Sequence, residues 1–289
     1  MRTANKLYSG LEAISVDVNP TNAEATMQLV SSFHSPAQSV DNSARIERGI
    51  AYGPHARNIL NIFAPYSNSE PVPVLIFVHG GNFVAGHCDV PDTPFYDNVG
   101  LWAVSRGWIG VTVTYRLAPD SAYPEGTDDV ADAVEWVLDN IEKFGGSKEQ
   151  VTLMGTSAGG IHASLALARR ASLSRLQGLV LVSSQYDLTL IPRKPVLAQY
   201  FPDEVDFRTV SPLAALGVSR QRLLLTVSQR DPTDYHDQFE KALKTLTATR
   251  TARTTALRLQ GHNHFSAVLA LGAESGELAD AIESMITDR

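Results

Sequence analysis

From Arg45 onward, short runs of β-branched and other apolar residues alternate with stretches whose apolar residues recur at helical spacing, and few architectures accept that alternation. IERGIAY (46–52), ILNIFAP (59–65), VLIFVHG (74–80), WIGVTVTY (108–115), VTLMG (151–155), LVLVS (179–183), LLLTVS (223–228) and TALRLQ (255–260) read as strands. Helices are expected at 127–145, where an Asp-rich entry and a Gly stop frame the pattern, and near 158–171, 235–248 and 265–287. Continuous apolar strands that alternate with helices imply a mostly parallel sheet covered on both faces, an α/β fold in one domain spanning 1–289.

Two segments stand outside that rhythm. Residues 1–43 read as an N-terminal arm or lid, a helix followed by the connector SSFHSPAQSVDNSA. Residues 184–221, rich in Pro, Tyr and Phe, are too long for a simple connection and are expected to add to a small cap.

Composition narrows the function. With 44% hydrophobic residues the chain can bury a large core, and 24 Lys plus Arg against 31 Asp plus Glu leave a net charge of −7 with no basic block, which argues against a nucleic-acid partner. Cys88 stands alone, so no intrachain disulfide forms, and neither a CxxC nor a Cys/His ligand cluster points to a metal. The opening MRTANKLYSGLEAISVDVNP lacks a signal peptide's apolar stretch, and no later window reaches transmembrane length. A cytoplasmic protein with no membrane partner is therefore expected.

The string VTLMGTSAGGIHASLALA sets Gly155, Ser157 and Gly159 as GxSxG between a strand and an Ala/Leu-rich helix. A nucleophile on such a turn needs small neighbours because its backbone is strained, and the helix N-terminus behind it favours developing negative charge. HGGNF (79–83) follows the strand VLIFV, where Gly80 and Gly81 are candidate amide donors to an oxyanion. A serine hydroxyl also requires a histidine base oriented by a carboxylate. SQRDPTDY offers Asp231 and Asp234, of which Asp234 suits a helix N-cap better, and LRLQGHNHFSAV offers His262 and His264. His79 is expected to support the glycine loop, while His34, His55, His87, His162 and His236 read as surface or capping residues. Arg116 reads as an anchor of the acidic turn that follows it or as a surface ion pair.

The chain resembles α/β-hydrolases of the hormone-sensitive-lipase group and the neighbouring kynurenine-formamidase-like esterases. The resemblance rests on HGGNF, YRLAPDSAYPEGTDDVADAVEW (115–136), GTSAGG (155–160), SSQYDL (183–188) and the later Asp and His, and spans roughly residues 45 to 270. It implies an oxyanion hole from the amides of Gly80, Gly81 and Ala158. It also implies an acid directly before Pro, which is Asp231, and a base directly before Phe, which is His264. Asn82 stands where that group usually has a third glycine and Thr156 where it usually has an acid; Asn82, SSQYDL (183–188) and the His264–Phe265 pair lean toward the formamidase-like branch.

The expected activity is that of a serine carboxylesterase or lactonase acting on a small to medium, partly apolar ester, without a cofactor or metal. Asn82, Phe83 and Tyr186 are expected at the substrate. An arylformamidase-type amidase, an acyl-transferring or lactone-forming enzyme, and a non-catalytic ligand-binding protein remain alternatives, and assembly into a homodimer stays open.

Overall fold

The computed structural model describes residues 2–34, 44–192, 195–250, 252–273 and 276–288. Eight strands form one sheet: β1 (Ala44–Ala51), β2 (Ile59–Pro65), β3 (Val72–Val78), β4 (Ile109–Val113), β5 (Gly146–Thr156), β6 (Gly178–Val182), β7 (Arg222–Arg230) and β8 (Thr254–Asn263). Their spatial order is β1-β2-β4-β3-β5-β6-β7-β8. Only β1 with β2 and β2 with β4 run antiparallel; every other pair is parallel. All eight strands read from the sequence are present.

The helices are α1 (Arg2–Glu12), α2 (Pro20–Ser31), α3 (Asp97–Ser105), α4 (Glu125–Asn140), α5 (Ala158–Ala166), α6 (Pro195–Tyr200), α7 (Phe207–Val210), α8 (Pro212–Val218), α9 (Thr233–Thr249), α10 (Ser266–Leu269) and α11 (Glu277–Thr287). None of the helices in the described residues is long and apolar enough to cross a membrane.

Period-two alternation in β3 feeds two cores. Val74, Ile76 and Val78 join residues of α4, α5 and α9 on one face, while Leu75 and Phe77 meet α3 and α11 on the other. Each of these five side chains is fully buried, and burial of one Val, Leu, Ile or Phe contributes roughly 1.5–3 kcal/mol. The chain leaves β3 for β4 on one side and returns to β5 on the other, so the ends of β3 and β5 flank a topological switch point, where open α/β sheets place their ligands.

Three expectations change. The helix expected at 265–287 is broken: α10 and α11 are separate, with Gly272 at φ +85° and an extended Gly276 between them. Helix α3 was not anticipated, because Asn98, Gly100 and Trp102 are all buried in it and no polar stripe marks its period. The arm holds two helices rather than one; its expected connector lies mostly outside the described residues.

Candidate active site

Ser157 sits between β5 and α5 at φ 52° and ψ −123°, a conformation that L-residues rarely hold, and its amide donates to the Val182 carbonyl (2.9 Å). The turn closes only because its neighbours are small. A Cβ on Gly159 would lie 2.3 Å from the Val78 carbonyl oxygen, inside the contact distance of any side chain. Ser157 is therefore lifted above the carboxyl ends of the parallel strands, at the first turn of α5.

His264 follows β8 and Asp231 follows β7. His264 Nε2 lies 3.0 Å from Ser157 Oγ, and its Nδ1 lies 2.7 Å from Asp231 Oδ1. The other Asp231 oxygen accepts from the Ser183 hydroxyl (2.6 Å) and the Ser228 amide (2.7 Å), so each carboxylate oxygen is engaged and the group is buried. With Nδ1 donating to Asp231, Nε2 is left as the acceptor facing the serine. Ser183 was not singled out from the sequence; the signal was the pair of serines that follows β6.

The three candidates joined by the sequence reading thus meet, and their rivals do not. His262 is held by Ser266 Oγ at its Nδ1 (3.0 Å) and lies edge-on to Tyr8 (5.3 Å between ring centroids), and burial lowers it to about 4. Asp234 is exposed in the first turn of α9, whose N-cap is Pro232, so it fills neither the acid's place nor the expected cap.

The HGGNF loop curls over Ser157. Gly81 takes φ +121°, and a Cβ there would lie 2.1 Å from the Ala85 carbonyl oxygen, which holds the position to glycine. Among the described residues no carbonyl or side chain accepts from the amides of Gly80, Gly81 or Ala158. Beneath the loop His79 is fully buried; its Nδ1 donates to the Gly80 carbonyl (2.7 Å), its Nε2 lies 3.2 Å from Thr114 Oγ1, and its ring stacks on Tyr115. Burial lowers its pKa to about 3, so it stays neutral. His162, expected at the surface, is also fully buried, beside Thr127 and Tyr200, and burial takes it to about 3.

A cavity of about 390 Å³ opens over Ser157 and His264. Its walls are largely apolar: Val18, Pro20 and Met27 of the arm face Val84, Val90 and Leu269. Asn82 and Thr156 add polar groups. Phe83 and Tyr186, expected at the substrate, do not line it. Phe83, at φ +68°, turns inward and stacks on Tyr200 (4.6 Å), and Tyr186 is buried in the core on the α9 side of the sheet. The same inward packing takes Tyr200 and Phe201 of the 184–221 region away from the cavity, so among the described residues it is the arm that roofs it.

The arm docks on the histidine loop. Asn263 Nδ2 donates to Thr26 Oγ1 (2.9 Å), while its Oδ1 accepts from the amides of Phe265 (3.1 Å) and Ser266 (3.0 Å). Arg230, next to Asp231, donates to the Ile14 carbonyl (2.7 Å). Farther off, His87, Cys88 and Asp89 bring their ligand atoms within 4.8 Å of one another, a cluster that the sequence reading did not anticipate. Burial pushes the Cys88 thiol up to about 12, and Arg48 lies 3.8 Å from Asp89, so a protonated thiol and a guanidinium both oppose a cation there. Arg116 forms a two-pronged pair with the buried Asp129 at the start of the crossover helix.

Comparison with known proteins agrees with this architecture. Residues 75–266 match the model of an α/β-hydrolase fold family. The para-nitrobenzyl esterase of Bacillus subtilis is 36% identical over 135 residues, which cover 43% of this chain and 27% of that protein. The gibberellin receptor of Oryza sativa subsp. japonica is 37% identical over 153 residues, covering 49% and 42%. The chain thus spans less than half the length of these curated relatives. Among solved structures, the esterase of Pyrobaculum calidifontis superposes with a TM-score of 0.72 at 24% identity over 97% of both chains, a likeness of fold. On the family match, which takes in the switch point, the serine turn and the histidine loop, this chain belongs to the α/β-hydrolase fold family.

Proposed function

We propose that the chain is a serine carboxylic-ester hydrolase working through Ser157, His264 and Asp231. The observation that carries this reading is the continuous relay from Ser157 Oγ to His264 Nε2 (3.0 Å) and from Nδ1 to Asp231 (2.7 Å). In the first step Oγ attacks the ester carbonyl, its proton passes to Nε2, and the imidazolium formed is stabilised by Asp231. The free amides of Gly80, Gly81 and Ala158 receive the oxyanion, helped by the N-terminus of α5. His264 then protonates the leaving alcohol, and a water deprotonated by the same nitrogen releases the acid and frees Oγ.

The cavity's volume and apolar walls favour a small to medium, partly apolar ester. The test is turnover of p-nitrophenyl acetate, butyrate and octanoate, with formylkynurenine alongside, by the parent protein, Ser157→Ala and His264→Ala. Turnover of the esters that disappears in both variants is the expected result. Preference for formylkynurenine would reassign the substrate to an aryl formamide, and a parent protein inert toward all four would remove the hydrolase reading in favour of a binding role.

A further inference from the structure

Four residues of α2, Pro20, Ala23, Glu24 and Met27, line the cavity over Ser157. Their spacing, i, i+3, i+4 and i+7, is that of one helix face. The helix that carries this face is anchored: Asn19 caps it by accepting from the Asn22 amide (2.9 Å), Pro20 opens it, and Thr26 accepts from the buried Asn263. Packing alone would favour apolar side chains at all four positions, yet one is a carboxylate. Among the described residues that line the cavity, Glu24 is the one Asp, Glu, Lys or Arg. Its Oε1 accepts from the Gln28 side-chain amide (3.2 Å), a neutral donor, and no cation among the described residues pairs with it. A negative charge that nothing offsets acts strongly in a cavity with apolar walls, which focus its field. The rings of Tyr96 and Phe265 line the same cavity, and aromatic rings attract alkylammonium groups.

We propose that Glu24 selects the substrate by charge: the site takes an ester whose acyl or alcohol part bears an ammonium group, and disfavours one that bears a carboxylate. The inference rests on the esterase reading and deepens it by naming the class of ester. The substrate's cation meets Glu24 under the arm while its carbonyl meets Ser157. Glu24 takes no part in making or breaking bonds. Its attraction is the same before and during the attack of Oγ, so it acts on KM and leaves kcat alone.

The test uses two pairs of esters matched in shape, each a quaternary ammonium ester beside its carbon isostere. Butyrylcholine is set against 3,3-dimethylbutyl butyrate, and p-nitrophenyl 4-(trimethylammonio)butyrate against p-nitrophenyl 5,5-dimethylhexanoate. Glu24 is exposed, so Glu24→Gln removes its charge without opening a hole in the core. In that variant KM for the cationic member of at least one pair should rise about fivefold, as for a partly screened ion pair, with kcat and the neutral isostere within about twofold. High salt should shrink the difference in the parent protein, and Glu24→Lys should instead favour mono-p-nitrophenyl glutarate. A packing role would change both members of a pair alike. Equal effects of Glu24→Gln on cationic and neutral members of both pairs, or a parent that refuses both cationic esters while cleaving their isosteres, would overturn the proposal and leave the Ser157 mechanism intact. Should the parent turn over no ester, calorimetric titration with butyltrimethylammonium still reads the site, and equal affinities of parent and Glu24→Gln would overturn it. Turnover that survives Ser157→Ala would instead remove the esterase reading on which it rests.

Discussion

Asn263, the residue before the candidate base His264, donates a 2.9 Å hydrogen bond to Thr26 of the arm, 237 residues earlier in the chain. Both side chains are buried, so the contact ties the roof of the cavity to the loop that holds the imidazole. Thr26→Val keeps the shape and leaves the Asn263 amide unsatisfied, which should cost about 1–3 kcal/mol. Thermal unfolding should show the lower midpoint, and kcat should fall more than KM rises. A variant with unchanged stability and kcat would show that the arm only covers the cavity.

Asp231 fixes the imidazole through Nδ1 and is itself held by Ser183 and Ser228. Asp231→Asn should preserve the fold but favour the wrong tautomer, lowering kcat by about 10⁴ as in other serine triads. Steady-state kinetics with a circular-dichroism check on folding reads this. A loss under tenfold would point to another acid.

At Gly81 both the positive φ and the Ala85 carbonyl exclude a side chain. Gly81→Ala should displace the loop and lower kcat by roughly 10²–10³, the usual effect of losing an oxyanion donor. Normal turnover by this variant would mean that the loop's amides do not receive the oxyanion.

Three buried histidines give stability a pH dependence. Burial lowers His79 and His162 to about 3 and His262 to about 4, below the ordinary value near 6.5 that they regain on unfolding. As pH falls from 6.5 toward 4 the unfolded chain binds protons that the folded chain refuses, so stability is full above 6.5 and declines below it. Each histidine should contribute roughly 1 kcal/mol per pH unit in that window. Urea unfolding at pH 7, 6 and 5 measures the slope, and His162→Gln should flatten it; an unaltered slope would show that His162 is accessible to protons in the folded state.

How far such features can be read from the sequence depends on whether the physics is local. Ser157 between two glycines was readable because a strained turn restricts the residues beside it, whereas the family resemblance separated Asp231 before Pro232 from Asp234 and His264 before Phe265 from His262. The strands were readable because β6 and the stretch Val74–Val78 of β3 are buried on both faces and apolar throughout, as is most of Val151–Gly155 in β5. Helix α3 was not, since Gly100 packs against Gly110 and Asn98 donates inward to the Val268 and Leu271 carbonyls, which erases the amphipathic stripe. Phe83 and Tyr186 read as pocket aromatics, and only backbone direction and tertiary packing send them into the core. The Thr26–Asn263 contact leaves no sequence trace at all.

The most direct measurement is intact-protein and peptide mass spectrometry after treatment with a fluorophosphonate, run beside p-nitrophenyl butyrate turnover. The expected result is one adduct, on Ser157, that abolishes turnover in step with labelling and forms far more slowly in His264→Ala. Full turnover by Ser157→Ala, or an adduct on another residue that tracks the loss of activity, would contradict the assignment of Ser157 as nucleophile.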